Sequence, residues 1–313
     1  LKTEAAAIPR GSAARKRAAE PAFRALTLVA GAGLLAVLAF MLFKLGAASG
    51  PVWRAHAKEL VTGTRWEPSR GRFGGLPFIY GTLVTSAIAV ALAVPVALAG
   101  ALFVSEVAPA RVRGPLAALL DLLAAVPSVV YGLWGIFVLV PVLRPFEQML
   151  ARAFGAIPVF AGPAPGVSYL SAGIVLAIMV TPTIAAISRE AFLTVPQSMR
   201  EAALALGSTR WEALRLAVLR PSRRGIAGGV MLGLGRALGE TIAVTMVVGN
   251  SPKIAVSILH PGYTMASVIA NEFSEATGPA HLEALVAVGL LLFGVTLLLN
   301  VAARAVIRTG AHR

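Results

Sequence analysis

Long apolar runs set the pattern of this chain. Six segments reach the roughly 20 residues that a helix needs to cross a bilayer. They lie at about 25–45, 80–104, 116–142, 169–188, 226–249 and 284–303. The polar stretches between them are mostly short, so the pattern predicts an all-α membrane protein with six transmembrane helices. Pro95, Pro127 and Pro182 fall inside the second, third and fourth segments. In a membrane bundle, neighbouring groups satisfy the carbonyls that a proline frees. These prolines are therefore expected to kink their spans rather than end them.

Composition supports the membrane reading. The chain is 57% hydrophobic and 13% charged, where a soluble domain carries about 25% charged residues. Its net charge of +14 does not point to nucleic acid, because the excess maps to loops and tails. Arg10, Arg15, Lys16 and Arg17 precede a first apolar run too long for a signal peptide. This predicts an uncleaved anchor helix behind a basic tail. Basic residues in the segments then placed inside outnumber those placed outside, so both termini are expected in the cytoplasm. The resulting division is a cytoplasmic tail at 1–24, a first transmembrane helix at 25–45 and an outer loop at 46–79. A transmembrane domain follows at 80–305, with a long inner loop at 189–225, and a cytoplasmic tail closes the chain at 306–313.

Several chemistries are excluded. With no cysteine in the chain, disulfides and thiolate catalysis are impossible. The four histidines are scattered without metal-binding spacing. No Gly-Lys dipeptide occurs, so the chain carries no phosphate loop of the GxxxxGK[ST] kind. No pair of similar halves appears, unlike many secondary transporters. A transport subunit that is not itself an enzyme fits these facts, with any ATP and Mg held by a partner.

Arg236 and Glu240 are the strongest candidate functional residues, because they lie within the fifth apolar segment. A charge at membrane depth costs about 3 kcal/mol on insertion scales and usually marks a transport path or a paired polar core. On one continuous helix, Gly229, Gly233, Arg236 and Glu240 would all lie within about 80° of Gly225. Glycines four apart let helices approach closely, and Gly235 and Gly239 are expected to join Gly225, Gly229 and Gly233 in helix packing. That face is expected to meet a partner helix or a pore. Guanidinium offers a planar fork of donors suited to phosphate oxygens. Glu240 is expected to orient it, or to accept a hydrogen bond from a protonated anion. A plain structural ion pair is the alternative, since the i,i+4 spacing permits contact.

The inner loop also has a legible pattern. Pro196 and Ser198 can start a short helix that runs through Glu201, Ala202 and Ala203 and ends at Gly207. A second helix is expected from Ser208, with Trp211 among its apolar contacts. Two short helices at a glycine elbow make a plug for a partner's groove.

Glu201-Ala202-Ala203, three residues, then Gly207 resembles the EAA loop of ABC-type importer permeases. Arg220 stands where that pattern has proline, with Pro221 one place later. The runs 73–86, 125–132, 235–245 and 261–273 are similar to the phosphate-specific transport permeases of the PstC type. The resemblance implies a type I ABC importer permease fold. It also implies that Glu201, Ala202, Ala203, Gly207 and Trp211 couple to the ATPase. Its implied function is ATP-driven import of inorganic phosphate through the cytoplasmic (inner) membrane of a bacterium. Implied partners are a homologous PstA-like sister permease, two ATP-binding subunits, an extracytoplasmic phosphate-binding protein and the lipid bilayer. Importers of sulfate, molybdate or phosphonate, and a self-sufficient anion channel or carrier, are the competing readings. The outer stretches 46–79, 144–168 and 250–283 are expected to receive the binding protein, with Trp53, Trp66 and Tyr263 as contact residues or interface anchors.

Overall fold

The structure is a computed structural model that describes residues 11–276 and 278–310; of 11–20, 22 and 306–310 only the helical backbone is described. The tail residues 1–10 and 311–313 lie outside the described residues. Leu1–Ala48 form one unit and Ser49–Arg313 a second. Helix α1 (Gly11–Thr62) takes up the rest of the expected N-terminal tail. It continues beyond the expected end at Leu45 and leaves helical geometry locally at His56. Phe23, Leu28, Leu34, Phe40 and other large apolar side chains of its first part are exposed, a surface suited to lipid.

Two helices form the centre of the second unit. α2 (Leu76–Leu102) and α6 (Tyr169–Leu193) pack along their lengths. Ala89, Ala93, Ala97 and Ala101 put a row of small buried residues on α2 at intervals of four. Such spacing lets two backbones come close. Gly173 of α6 sits so near that a Cβ there would lie 2.7 Å from Ile88 Cβ. Pro95 and Pro182 lie inside continuous helices, so their carbonyls are accommodated as expected.

Pro127 behaves differently. The third apolar segment is not one helix over 116–142. α3 (Ala110–Ala125) stops, Val126 turns extended (φ −62°, ψ 129°), and α4 (Ser128–Trp134) restarts after Pro127. A residue before proline is pushed out of helical geometry by the ring. A π-helical turn at Gly135–Leu139 joins α4 to α5 (Val140–Phe154). The helix long and apolar enough to cross is therefore Ser128–Phe154.

The fifth segment is broken too. α9 (Arg223–Gly239) ends where Glu240 becomes extended (φ −68°, ψ 128°), and α10 (Ile242–Val247) resumes two residues later. Among the described residues, five helices are long and apolar enough to cross a membrane. The expected sixth crossing is the interrupted α9–α10 pair. Broken helices are tolerated at membrane depth where protein surrounds them or they line a cavity.

Between α6 and α9 the loop folds into α7 (Gln197–Ala205) and α8 (Arg210–Ala213), followed by a π-helical turn at Leu214–Leu219. α11 (Met265–Glu272) and α12 (Pro279–Gly310) complete the chain.

The expected outer loop at 46–79 is largely structured. It holds the end of α1, a small hairpin of β1 (Trp66–Glu67) with β2 (Arg72–Phe73), and the start of α2. Trp66 and Tyr263 are buried rather than presented to a partner. Trp66 stacks edge-on against Phe73 and Phe78, and its Nε1 donates to Glu272 Oε2 at 2.8 Å. His281 Nε2 lies 3.0 Å from the same oxygen. The Tyr263 hydroxyl accepts from Asn271 Nδ2 at 3.1 Å. Burial, the largest influence, pushes the Tyr263 phenol up to about 12. Trp53 is half-buried, with its indole N–H enclosed.

Candidate substrate pathway and coupling loop

The glycines of α9 explain how Arg236 is positioned. A Cβ on Gly225 would lie 2.4 Å from Ala191 Cβ, and one on Gly233 would lie 2.6 Å from Ile184 Cγ1. At Gly229 the nearest atoms, on Ile187, would be 3.3 Å away. These three glycines bring α9 directly onto α6. Gly235 and Gly239 do not take part, because a Cβ on either would meet nothing within 4 Å in this chain. They lie on other faces of the helix, which the four-residue spacing alone did not separate.

Arg236 follows the packed face and points into the junction with α6 and α3. Its Nη1 donates to Thr183 Oγ1 at 3.2 Å and to the Ala124 carbonyl at 3.3 Å. Ala124 lies in the last turn of α3, where carbonyls lack helical partners. The guanidinium thus closes the open end of α3 across the break at Pro127. Tyr131 does similar work from the other side, donating its hydroxyl to the Leu123 carbonyl at 2.9 Å. α4 and α10 also meet here. Gly132 leaves so little room that a Cβ would lie 3.0 Å from Ala243 Cα. The two helix interruptions therefore sit together.

Glu240 does not hold Arg236. It lies beyond the end of α9, so the helical angle expected for it does not apply. Its Oε1 accepts from the Ala243 backbone N–H at 3.2 Å, at the first turn of α10. A carboxylate there satisfies an open N–H and suits the helix dipole. Among the described residues, every ion pair lies elsewhere. Arg236 is held by neutral acceptors only, and its Nε and Nη2 donors are not engaged by the described residues.

Glu147 is a buried ionisable side chain, and the sequence reading missed it by placing it in an outer loop. It is fully buried on α5 and accepts from Ser168 Oγ at 2.6 Å and Ser171 Oγ at 3.0 Å. Ser168 caps α6, so the carboxylate fixes α5 to the N-terminus of α6. The available signal was the pair Ser168 and Ser171 opening an apolar run.

The inner loop matches its expected pattern closely. Pro196 precedes α7, Gly207 takes the left-handed conformation (φ +84°), and Thr209 starts α8. Thr209 and Glu212 form a capping box. The Thr209 backbone N–H, then its hydroxyl, hold the Glu212 carboxyl below its ordinary value. Leu206 is 87% exposed and Trp211 61% exposed, so the elbow offers apolar side chains outward. Glu201 and Ala202 are exposed on α7, and Ala203 is half-buried. The departure at Arg220 changes little, because the π-helical turn and a short turn carry the chain straight into α9.

Residues 94–309 match the family described as the binding-protein-dependent transport system inner membrane component. The chain belongs to this family. It is 42% identical to the phosphate transport system permease protein PstC of Mesorhizobium japonicum over 299 residues, covering 92% of this chain and 91% of that one. It is 46% identical to PstC of Xylella fastidiosa over 283 residues, covering 87% of both. Among solved structures it is similar to a chain of the inward-facing MetNI methionine ABC transporter, with TM-score 0.55 and 14% identity. That match covers 78% of this chain and 99% of the other, and it shows the fold. The architecture is that of a type I ABC importer permease, and this family member is an integral inner-membrane protein.

Proposed function

We propose that this chain is the membrane-spanning permease subunit of an ATP-driven importer that passes inorganic phosphate across the cytoplasmic membrane. The observation that carries the reading is Arg236, a cation without a carboxylate partner among the described residues, held where two helix interruptions meet. The names of the PstC relatives support phosphate as the cargo. A guanidinium with free donors can attract an oxyanion, while neutral acceptors keep it in place. Glu240 shapes the site by restarting α10, and its remaining lone pairs can accept from a protonated phosphate.

The coupling elbow supports the rest of the proposal. Exposed Leu206 and Trp211, on a loop fixed by Gly207 and the capping box, suit insertion into the groove of an ATP-binding subunit. Energy from ATP and Mg then arrives through that partner. A PstA-like sister permease completes the pore, and an extracytoplasmic phosphate-binding protein delivers the anion. Both termini lie in the cytoplasm.

The test is Arg236→Gln in the assembled importer. Uptake of radiolabelled phosphate is expected to be lost, with the variant still co-purifying with its partner subunits. Full uptake by the assembled variant refutes the role. Competition decides the cargo: excess unlabelled phosphate should suppress uptake, and equal suppression by sulfate would point to a general oxyanion importer.

A further inference from the structure

A cleft of about 740 Å³ opens beside the coupling elbow and takes no part in the proposed pathway. One wall is the π-helical turn Phe103–Val107 that ends the α2 span, with the start of α3. The other is formed by the end of α6 with α7 and α8. Its charges are unequal. Glu106 is fully occupied by Arg200, which donates from Nε at 3.1 Å and from Nη2 at 2.8 Å. Arg200 also bonds the Val195 and Phe192 carbonyls. That pair ties the two walls together and leaves no net charge.

Arg113 and Arg210 remain, one on each wall. Arg113 makes only a 3.3 Å bond to the Ala108 carbonyl, and no described residue bonds the Arg210 side chain. Both are exposed. The rest of the lining includes Val107 at 61%, Leu193 at 50% and Leu204 at 48% exposed. Val107 and Leu193 close the apolar spans Leu76–Val107 and Tyr169–Leu193. The cleft therefore joins the lipid-facing surface to two free guanidinium groups at the membrane edge.

We propose that this cleft binds an anionic phospholipid, with the headgroup phosphate between Arg113 and Arg210 and an acyl chain against Val107, Leu193 and Leu204. The combination of excess cation with exposed apolar lining at the ends of two spans favours a lipid over a free anion. Basic pockets between helices at the membrane surface are recognised headgroup sites. A lipid there bridges the span ends and the coupling loop, so it sets how firmly the elbow is held. The proposal uses the transport reading only to name the cytoplasmic leaflet. Its test reads binding, so it stands or falls separately from phosphate uptake.

The full chain is reconstituted in phosphatidylcholine vesicles carrying a trace of photoactivatable phosphatidylglycerol. Crosslinks are expected on 105–113 and 193–214, suppressed by unlabelled phosphatidylglycerol but not by inorganic phosphate. Arg113→Gln with Arg210→Gln should weaken apparent affinity about 30-fold, equivalent to about 2 kcal/mol at roughly 1 kcal/mol per arginine. Arg220→Gln with Arg224→Gln, outside the cleft lining, should leave it unchanged. Crosslinks that map elsewhere in the unmodified chain overturn the proposal, whether or not the variants fold. Equal weakening by both double variants also overturns it. Competition by inorganic phosphate assigns the cleft to a free anion. Loss of crosslinking when an ATP-binding subunit is added assigns it to protein docking. Either result refutes the lipid reading.

Discussion

Gly225→Ala isolates the packing on which the whole site depends. The added carbon would stand 2.4 Å from Ala191 Cβ, about 1 Å inside the shortest comfortable carbon separation of about 3.5 Å. Ala191 Cβ cannot rotate away, so α9 itself must shift. The shift loosens the contacts at Gly229 and Gly233, where a gap of about 0.5–1 Å forfeits about a quarter to a half of each contact's attraction. It also strains the bond from Ser222 Oγ to the Ala191 carbonyl, 3.0 Å long. Overpacking of this kind costs about 1–3 kcal/mol, and the helix-propensity gain of alanine offsets up to about 1 kcal/mol. A net loss of up to about 3 kcal/mol is expected. Gly228→Ala is the control: its added carbon meets nothing within 4 Å, so only the propensity gain remains. Thermal unfolding of the purified chain in detergent, followed by tryptophan fluorescence, should place Gly225→Ala below the unmodified chain and Gly228→Ala at or above it. Equal midpoints for the two variants would refute the close approach of α9 and α6.

Three further outcomes follow from particular bonds. Glu240→Gln retains an acceptor for the Ala243 N–H and Glu240→Ala does not, so a capping role predicts uptake surviving in the first and failing in the second; equal loss in both would show that the negative charge itself is needed. Glu212 has a lowered folded-state value, so its contribution to the elbow is present above the ordinary carboxylate range and is lost as pH falls through that lowered value. Amide exchange at 209–213, corrected for its intrinsic pH dependence, should lose protection on acidification, and Glu212→Gln should abolish that dependence. Trp66→Phe removes the donor to Glu272 in a buried cluster and should cost about 1.5–3 kcal/mol of stability, read as a lower melting point. If the variant instead melts normally and loses only its binding-protein interaction, the burial assigned to Trp66 is wrong.

The sequence was most informative where local chemistry decides structure. Gly207 determines its own backbone, so the elbow was legible from residue types; the second helix, expected from Ser208, is capped one residue later by Thr209 with Glu212. The glycines at 225, 229 and 233 were legible because a four-residue period matches a helix face. The two breaks were less visible, because the apolar pattern runs through them unbroken. Val126 before Pro127 was a sufficient steric signal, but in a membrane span it competes with simple kinking, as Pro95 and Pro182 show. The break at Glu240 has no proline. Its only mark is Glu240-Thr241, a polar pair within an apolar run, of which Glu240 supplies an acceptor for a restarting helix. Reading that pair as part of one continuous turn made Glu240 a partner of Arg236. The burial of Trp66 and Tyr263 depends on contacts between distant segments, and no local pattern carries it.

The enclosed ionisable side chains of this chain fall into two kinds, and the difference bears on mechanism. Glu106 and Arg200, both half-buried, answer one another's charge at 2.8 Å. The buried Glu147 carboxyl accepts from two serine hydroxyls on one oxygen, where the N-terminus of α6 also suits a carboxylate. Arg236 bonds only a threonine hydroxyl and a carbonyl. Both acceptors are neutral, so a neutral donor of the same reach would bond them equally, and closing the end of α3 does not by itself require a cation. Holding a cation at this depth costs about 3 kcal/mol by insertion scales, and no described carboxylate offsets that cost. What the guanidinium adds beyond structure is charge with free donors beside it, at the one place where both interrupted helices meet. Arg236→Gln removes the charge and keeps a donor on a shorter side chain, which makes it a sharper probe than alanine: loss of uptake by a variant that still assembles and melts like the unmodified complex then reports on the anion rather than on the fold.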